Sequence, residues 1–215
     1  MPTSLTRAPK QDRSRAALER LLEATKEILC EGTFEQLTIA GISKRSGVSV
    51  GSIYARFEGK DDLFLATMVD VLEALDLEWS AEIADLKARK LPLPERIPVL
   101  IDTLAEFLRR HAGMLRPFMV RANDPRVAFY GKASHQKLVD SFKELLLESK
   151  SAIKHSLPER AVDSCFSIVY ASLARFLGLG SAADAAGEGD WVILKEDLGS
   201  MCMGFLLHPD VRLSR

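Results

Sequence analysis

Residues 46–64 read SGVSVGSIYARFEGKDDLF, and the middle of that stretch is odd for a helix. Helical spacing sets Ile53 and Phe57 on one face and leaves the opposite face to Val50, Gly51, Ser52 and Ala55. Glycine costs about 1 kcal/mol against alanine in a helix interior, so a face this bare calls for something that covers it. One candidate is a neighbouring protein helix packed tightly on Gly51. The other is DNA: in a helix-turn-helix the second helix lies in the major groove, where large side chains would hold its backbone away from base edges and phosphates. Gly51 and Ser52 permit that approach, while Ile53 and Phe57 anchor the helix to a small core expected from Leu22, Ile28, Phe34, Ile39 and Ile42.

The flanks favour DNA. TIAGISKRSG, residues 38–47, opens on Thr38, a good N-cap, and closes on Gly47; Ser49 is placed to cap the next helix. Helix N-termini offer unsatisfied N–H groups to phosphate, so Thr38 and Ser49, with Tyr54, Arg56 and Lys60, are candidate phosphate partners around the bare patch. Lys44 and Arg45 are either further phosphate contacts or a solvated helix face, and Tyr54 alone would read as a half-buried aromatic. At this spacing the set points to a nucleic-acid surface.

Net charge over 215 residues is −1, which by itself argues against such a surface, but the charge is unevenly placed. Residues 1–60 hold 10 Lys and Arg against 7 Asp and Glu, and between Thr38 and Lys60 the one acidic residue is Glu58. Local charge is what a phosphate footprint needs. Hydrophobic residues at 47% and charged residues at 27% are ordinary for a globular protein. No apolar run approaches the roughly 20 residues of a membrane span, and the first 20 residues lack the apolar segment of a secretory signal, so a cytoplasmic protein is expected. Cys30, Cys165 and Cys202 are too few and too scattered for a disulfide framework and read as buried, reduced thiols. The four histidines show no metal-binding spacing, and no metal or cofactor is expected.

The rest of the chain reads as helix. Residues 1–12, with Pro2, Pro9, Arg7 and Lys10, suggest a flexible basic arm; 13–60 the helix-turn-helix domain, its first helix running from Ser14 to a stop at Gly32; and 61–215 a larger helical bundle. In the bundle the pattern predicts a helix from Asp61 to Trp79, one from about Pro94 terminated by Gly113, a short one at 114–122, a long one from Pro125 to just before Pro158, and two more at 158–180 and 191–209. Strand alternation and 30–45-residue repeats are absent. The expected fold class is all-α.

TIAGISKRSGVSVGSIYARFEGKDDLF resembles the DNA-binding module of the tetracycline-repressor (TetR) family. Thr38, Ile42, Gly47, Val48, Ser49, Gly51, Ile53, Tyr54, Phe57, Lys60 and Leu63 match its pattern, and the resemblance covers about residues 14–68. It implies that Thr38, Ser49, Tyr54 and Lys60 hold phosphates and that Val50, Gly51, Ser52 and Ala55 lie nearest the bases. The chain departs from the pattern at Arg56, where the family often has His or Tyr, and at Gly41 and Ser43.

The resemblance further implies a homodimer joined through the last two long helices, with Ala171, Ala174, Gly178 and Gly204 as contact points, and a cavity for a small apolar effector in the central helices. Phe107, Met114, Phe118, Phe129, Phe166 and Tyr170 are candidate lining, with His135, Arg121 and Arg175 as polar groups; plain core is the alternative for each aromatic. The implied function is a ligand-responsive transcriptional regulator bound to operator DNA, most simply a repressor. A helical small-molecule- or protein-binding module without DNA binding is the competing class. An enzyme is disfavoured, because no nucleophile–base pairing, metal spacing or phosphate-cradling loop is found.

Overall fold

The computed structural model describes residues 10–180 and 186–209, which hold eight α-helices and no strand. They are α1 (Lys10–Glu31), α2 (Ile39–Ser46), α3 (Val50–Tyr54), α4 (Lys60–Ala88), α5 (Leu93–Val120), α6 (Pro125–Leu147), α7 (Pro158–Phe176) and α8 (Trp191–Leu207). The chain divides into two compact units after Val71, inside α4, rather than at the start of that helix, because Leu63, Phe64, Thr67 and Met68 on its first turns are buried along with the helix-turn-helix.

In the first unit α1 begins at Lys10, four residues before the expected Ser14. Pro9 is the last helix breaker, so the final three residues of the expected arm are helical; the remainder of that arm, Arg7 included, lies outside the described residues. The buried stripe of α1 is Leu21, Ala24, Thr25 and Leu29, at the three- and four-residue steps that put side chains on one face. With Leu37, Ile42, Val48 and Ile53 it makes the core. Leu22, Ile28, Phe34 and Ile39, expected in this core, and Phe57, expected to anchor α3 to it, keep partial exposure and form its margin. Cys30 is exposed, contrary to expectation, since it sits one position past Leu29 and turns off the buried stripe; Cys165 and Cys202 are buried.

In the second unit α5 packs along α8 and also meets α6 and α7, while α7 packs on α6 and α8. Gly199 of α8 lies over Pro98 of α5, where a Cβ would stand 3.5 Å from the proline Cβ. Gly113 does not end α5, which runs on through Pro117 to Val120. Leu115 and Phe118 continue the buried stripe past it, and burial of such side chains, each about 1.5–3 kcal/mol, outweighs one glycine. The proline ring collides with the carbonyl four residues back, and here that residue is Gly113, whose backbone yields most easily.

The helix expected to run from Pro125 to the residues before Pro158 stops at Leu147, leaving the 29-residue α4 the longest among the described residues. A 3₁₀ turn at Lys150–Ala152 follows, and the chain then buries Ile153 and His155 while Lys154 N–H donates to the Leu206 carbonyl at 2.8 Å. Two arginines tie helix ends together. Arg96 donates to the carbonyls of Leu91 and Leu145, and Arg116 to that of Leu177 at the end of α7.

Candidate nucleic-acid interface

The two short helices are fixed by local hydrogen bonds. Thr38 Oγ1 accepts from Gly41 N–H at 3.1 Å and caps α2. A Cβ on Gly41 would stand 3.0 Å from that oxygen, a tight contact that the hydroxyl would have to ease. Gly47 closes α2 at φ +68°, a left-handed conformation that favours glycine, and its N–H donates to the Ser43 carbonyl at 3.0 Å. The Ser43 hydroxyl then reaches forward to the Val48 carbonyl at 2.7 Å, and Val48 N–H donates back to Ser46 Oγ at 3.2 Å. Val48 is buried, so the turn is packed as well as hydrogen-bonded. Ser49 Oγ accepts from Ser52 N–H and starts α3.

This frame buries Ile53 and turns the other side of α3 outward. Gly51, Ser52 and Ala55 are exposed, Val50 is 42% exposed and Tyr54 56%. A Cβ built on Gly51 meets no atom within 4 Å, so the glycine is not a packing contact inside the chain. Tyr54 is likewise no half-buried core aromatic. The bare face predicted from the sequence is thus bare in the fold, with Thr38, Ser49 and Lys44 exposed around it.

The cations are less free than their sequence positions suggest. Arg45 turns onto α1, where its guanidinium lies 2.7 Å from Glu31 and 3.6 Å from Glu27. The hydrogen bond from Arg45 lowers the Glu31 carboxyl pKa, and the same bond raises that of Arg45. Lys60 sits over the Phe34 ring, 4.3 Å from its centroid, and donates to the Phe34 carbonyl at 3.3 Å. Arg56 donates to Ser14 Oγ at 2.8 Å and to the Ser14 carbonyl at 3.3 Å. Of the expected basic contacts, Arg45 is held by carboxylates, Arg56 and Lys60 by hydrogen bonds to other groups, and Lys44 is exposed. The i, i+4 spacing of Glu27 and Glu31 was visible in the sequence, but nothing there assigned Arg45 to them. Ser14 read as a helix start, and nothing in the sequence marked it as the partner of Arg56.

In the second unit, three of the expected ligand-lining residues come together. The His135 ring on α6 lies 4.5 Å from that of Tyr170 and 5.5 Å from that of Phe166, both on α7, and Phe142 stands 5.3 Å from Phe166. Burial pushes the His135 imidazole pKa below its ordinary value and the Tyr170 phenol above its own. Phe107 belongs to another group, against Trp79 and His111, and Phe118 is buried. Met114 is partly exposed, Arg121 lies 3.7 Å from Asp124, and Arg175 is paired with Glu188 at 2.7 Å. Phe129 is 68% exposed beside Tyr130, so it is outside the cluster. Gly178, expected as a dimer contact, is buried at φ +64° in the C-terminal cap of α7, and Ala174 is buried as well; Ala171 and Gly204 are exposed.

Residues 21–67 match the model of bacterial regulatory proteins, tetR family. The chain carries the N-terminal domain of the tetR family. Uncharacterized HTH-type transcriptional regulators of Mycobacterium bovis and Mycobacterium tuberculosis are 31% identical to it over 96 residues, 45% of this chain and 49% of theirs. The chain thus spans about half the length of the curated relatives it matches. The tetR-family fold extends beyond the matched segment. A structure from Mesorhizobium loti MAFF303099 assigned to that family superposes with a TM-score of 0.71 at 14% identity, covering 90% of this chain and 96% of that one. The FadR regulator of Bacillus subtilis, solved in complex with stearoyl-CoA, superposes with a TM-score of 0.63 at 16% identity, over 87% and 98% of the two chains. At such identities the likeness is one of fold.

Proposed function

We propose that the chain is a homodimeric, DNA-binding transcriptional regulator of the cytoplasm, a repressor released from its operator by a small apolar molecule. The observation that carries the reading is the open surface at Gly51, flanked by exposed Val50, Ser52, Tyr54 and Ala55 on a helix whose other side is locked into a core. Val50 offers apolar contact to thymine methyls and Ser52 a hydroxyl to base edges; the small set leaves much of the selectivity to DNA shape. Thr38, Ser49, Tyr54, Lys44 and Lys60 would meet phosphates, Lys60 by swinging from the Phe34 carbonyl. Arg45 is withdrawn from that list by its carboxylate partners.

One such module reads few base pairs, and two are needed for a useful site. Ile168 and Ala171 on α7, with Val192, Ile193, Met201 and Phe205 on α8, leave apolar side chains exposed on the helices proposed to pair. Release follows from linkage: an effector that binds the form not bound to DNA more tightly must lower DNA affinity. The His135, Phe166 and Tyr170 cluster supplies apolar walls with two polar groups, suited to an apolar effector carrying a polar end. In this proposal α4, unbroken from Lys60 to Ala88, transmits the change to the spacing of the two reading helices, which must match one DNA turn of about 34–36 Å.

Duplex binding over a range of salt tests the reading, since counterion release makes log K fall linearly with log salt. Absence of binding to any duplex at low ionic strength, with or without apolar metabolites, overturns it. A thermal-shift screen of apolar compounds, long-chain acyl thioesters among them, then searches for the effector.

A further inference from the structure

We infer that Arg56 is a positioning residue that sets the first turns of α1 against α3 through Ser14, and that it makes no phosphate or base contact of its own; this rests on the DNA-binding reading above. Its guanidinium forks between two helices. One nitrogen donates to Ser14 Oγ at 2.8 Å and to the Ser14 carbonyl at 3.3 Å, and the other donates to the Ser52 carbonyl at 3.3 Å. Ser52 stands on the bare face of α3, and Ser14, 42 residues before Arg56, lies between exposed Arg13 and Arg15.

The place of this fork matters because of where α1 is otherwise held. Its buried stripe starts at Leu21, two turns beyond Ser14, and Ala16, Ala17 and Leu18 keep partial exposure. Packing therefore fixes the C-terminal half of α1, and the Arg56 fork fixes the half that carries Arg13 and Arg15. A planar guanidinium with several donors in rigid geometry can hold two helices at once, and a lysine ammonium cannot reproduce that fork. With its donors directed at Ser14 and Ser52, Arg56 keeps the α1 cations at a set distance from the reading face, so that both meet one DNA backbone in register. Holding contact groups in place before binding removes an ordering cost that would otherwise reduce affinity.

The test compares R56A, R56K, S14A and the R56A/S14A double variant in binding to a mixed-sequence duplex of about three helical turns over a salt series. Expected are affinity losses of about tenfold for R56A and about threefold for S14A, a double variant no weaker than R56A, failure of R56K to restore binding, and an unchanged salt slope. A slope smaller by about 1 in R56A, with S14A inert, would mean a phosphate contact and overturn the proposal, as would additive losses. Amide hydrogen exchange at residues 13–17, read without DNA, should quicken in both R56A and S14A; unchanged exchange also overturns it. If the unaltered chain binds no duplex, the DNA-binding reading falls, and the exchange measurement still decides whether the fork exists.

Discussion

The hydroxyls of Ser49 and Ser52 lie 2.8 Å apart across the first turn of α3. The two residues nevertheless do different work. Ser49 Oγ accepts the Ser52 N–H at 3.2 Å and caps the helix whether or not Ser52 has a side chain. Ser49→Ala should therefore lower stability by about 1 kcal/mol, the usual cost of a lost N-cap. Ser52→Ala should leave the urea midpoint within experimental scatter while changing which duplexes are preferred. Denaturation curves alongside a selection from random duplexes separate the two.

Gly51→Ala gives opposite signs for folding and for binding. The added methyl enters open space in the free protein, and alanine is the better helix former, so stability should rise by about 0.5–1 kcal/mol. DNA affinity should drop, because the methyl occupies the surface that approaches the groove. A melting curve and a binding isotherm on the same sample check both; unchanged DNA affinity would leave the bare face without a purpose.

Ile168→Glu on α7 or Met201→Glu on α8 places a charge on the apolar surface proposed to join two copies. Each should raise the dimer dissociation constant by about 100-fold or more, given the cost of burying an unpaired carboxylate. Sedimentation across a concentration series reads it. A dimer of unchanged strength in both variants would move the interface elsewhere.

The three thiols should label unequally. Cys30 is exposed and should react in the native protein; Cys165 and Cys202 should react once the protein unfolds. Partial burial, reinforced by the Glu23 and Glu31 carboxylates, raises the Cys30 pKa, so its labelling should be slow at neutral pH and quicken as pH rises. The hydrogen bond between Cys165 and Cys202 holds the Cys202 proton on and raises its pKa. Native labelling of all three at one rate would contradict this packing.

His135 makes stability depend on pH in a definite direction. Its folded pKa lies below the ordinary 6.5 because burial disfavours the charged ring. Above 6.5 both states hold it neutral and its contribution is complete. As pH falls below 6.5 the unfolded chain takes up the proton first, so stability declines down to the folded pKa and is level below it. His135→Phe should flatten that part of the urea-midpoint profile measured between pH 7.5 and pH 5.

What the sequence showed and what it hid divide by distance along the chain. Thr38 and Ser49 as caps, Gly47 as the turn and Gly51 as the bare position were all legible, since each acts on neighbours within a few residues. The partners of Arg45 and Arg56 were not, because Glu27, Glu31 and Ser14 reach them only once α1 folds across. Gly113 misled for a related reason: local propensity argues for a stop, and tertiary burial on both sides of it overrides that preference. In the second unit the helical character was readable from periodicity, while the ends of α4, α5 and α6 were not. Which aromatics would meet was not, and Phe129 ended outside the group that holds His135, Phe166 and Tyr170.

The pairing of Arg45 with Glu27 and Glu31 bears on how such a protein would travel. Attraction to random sequence grows with the number of phosphates a protein can neutralise, and α1 has already matched one of this module's cations with its own carboxylates. Encounters with unrelated chromosome should accordingly be brief, leaving more of the molecules loose to sample new stretches, and occupancy should come to depend on shape-matched sites rather than on sheer charge.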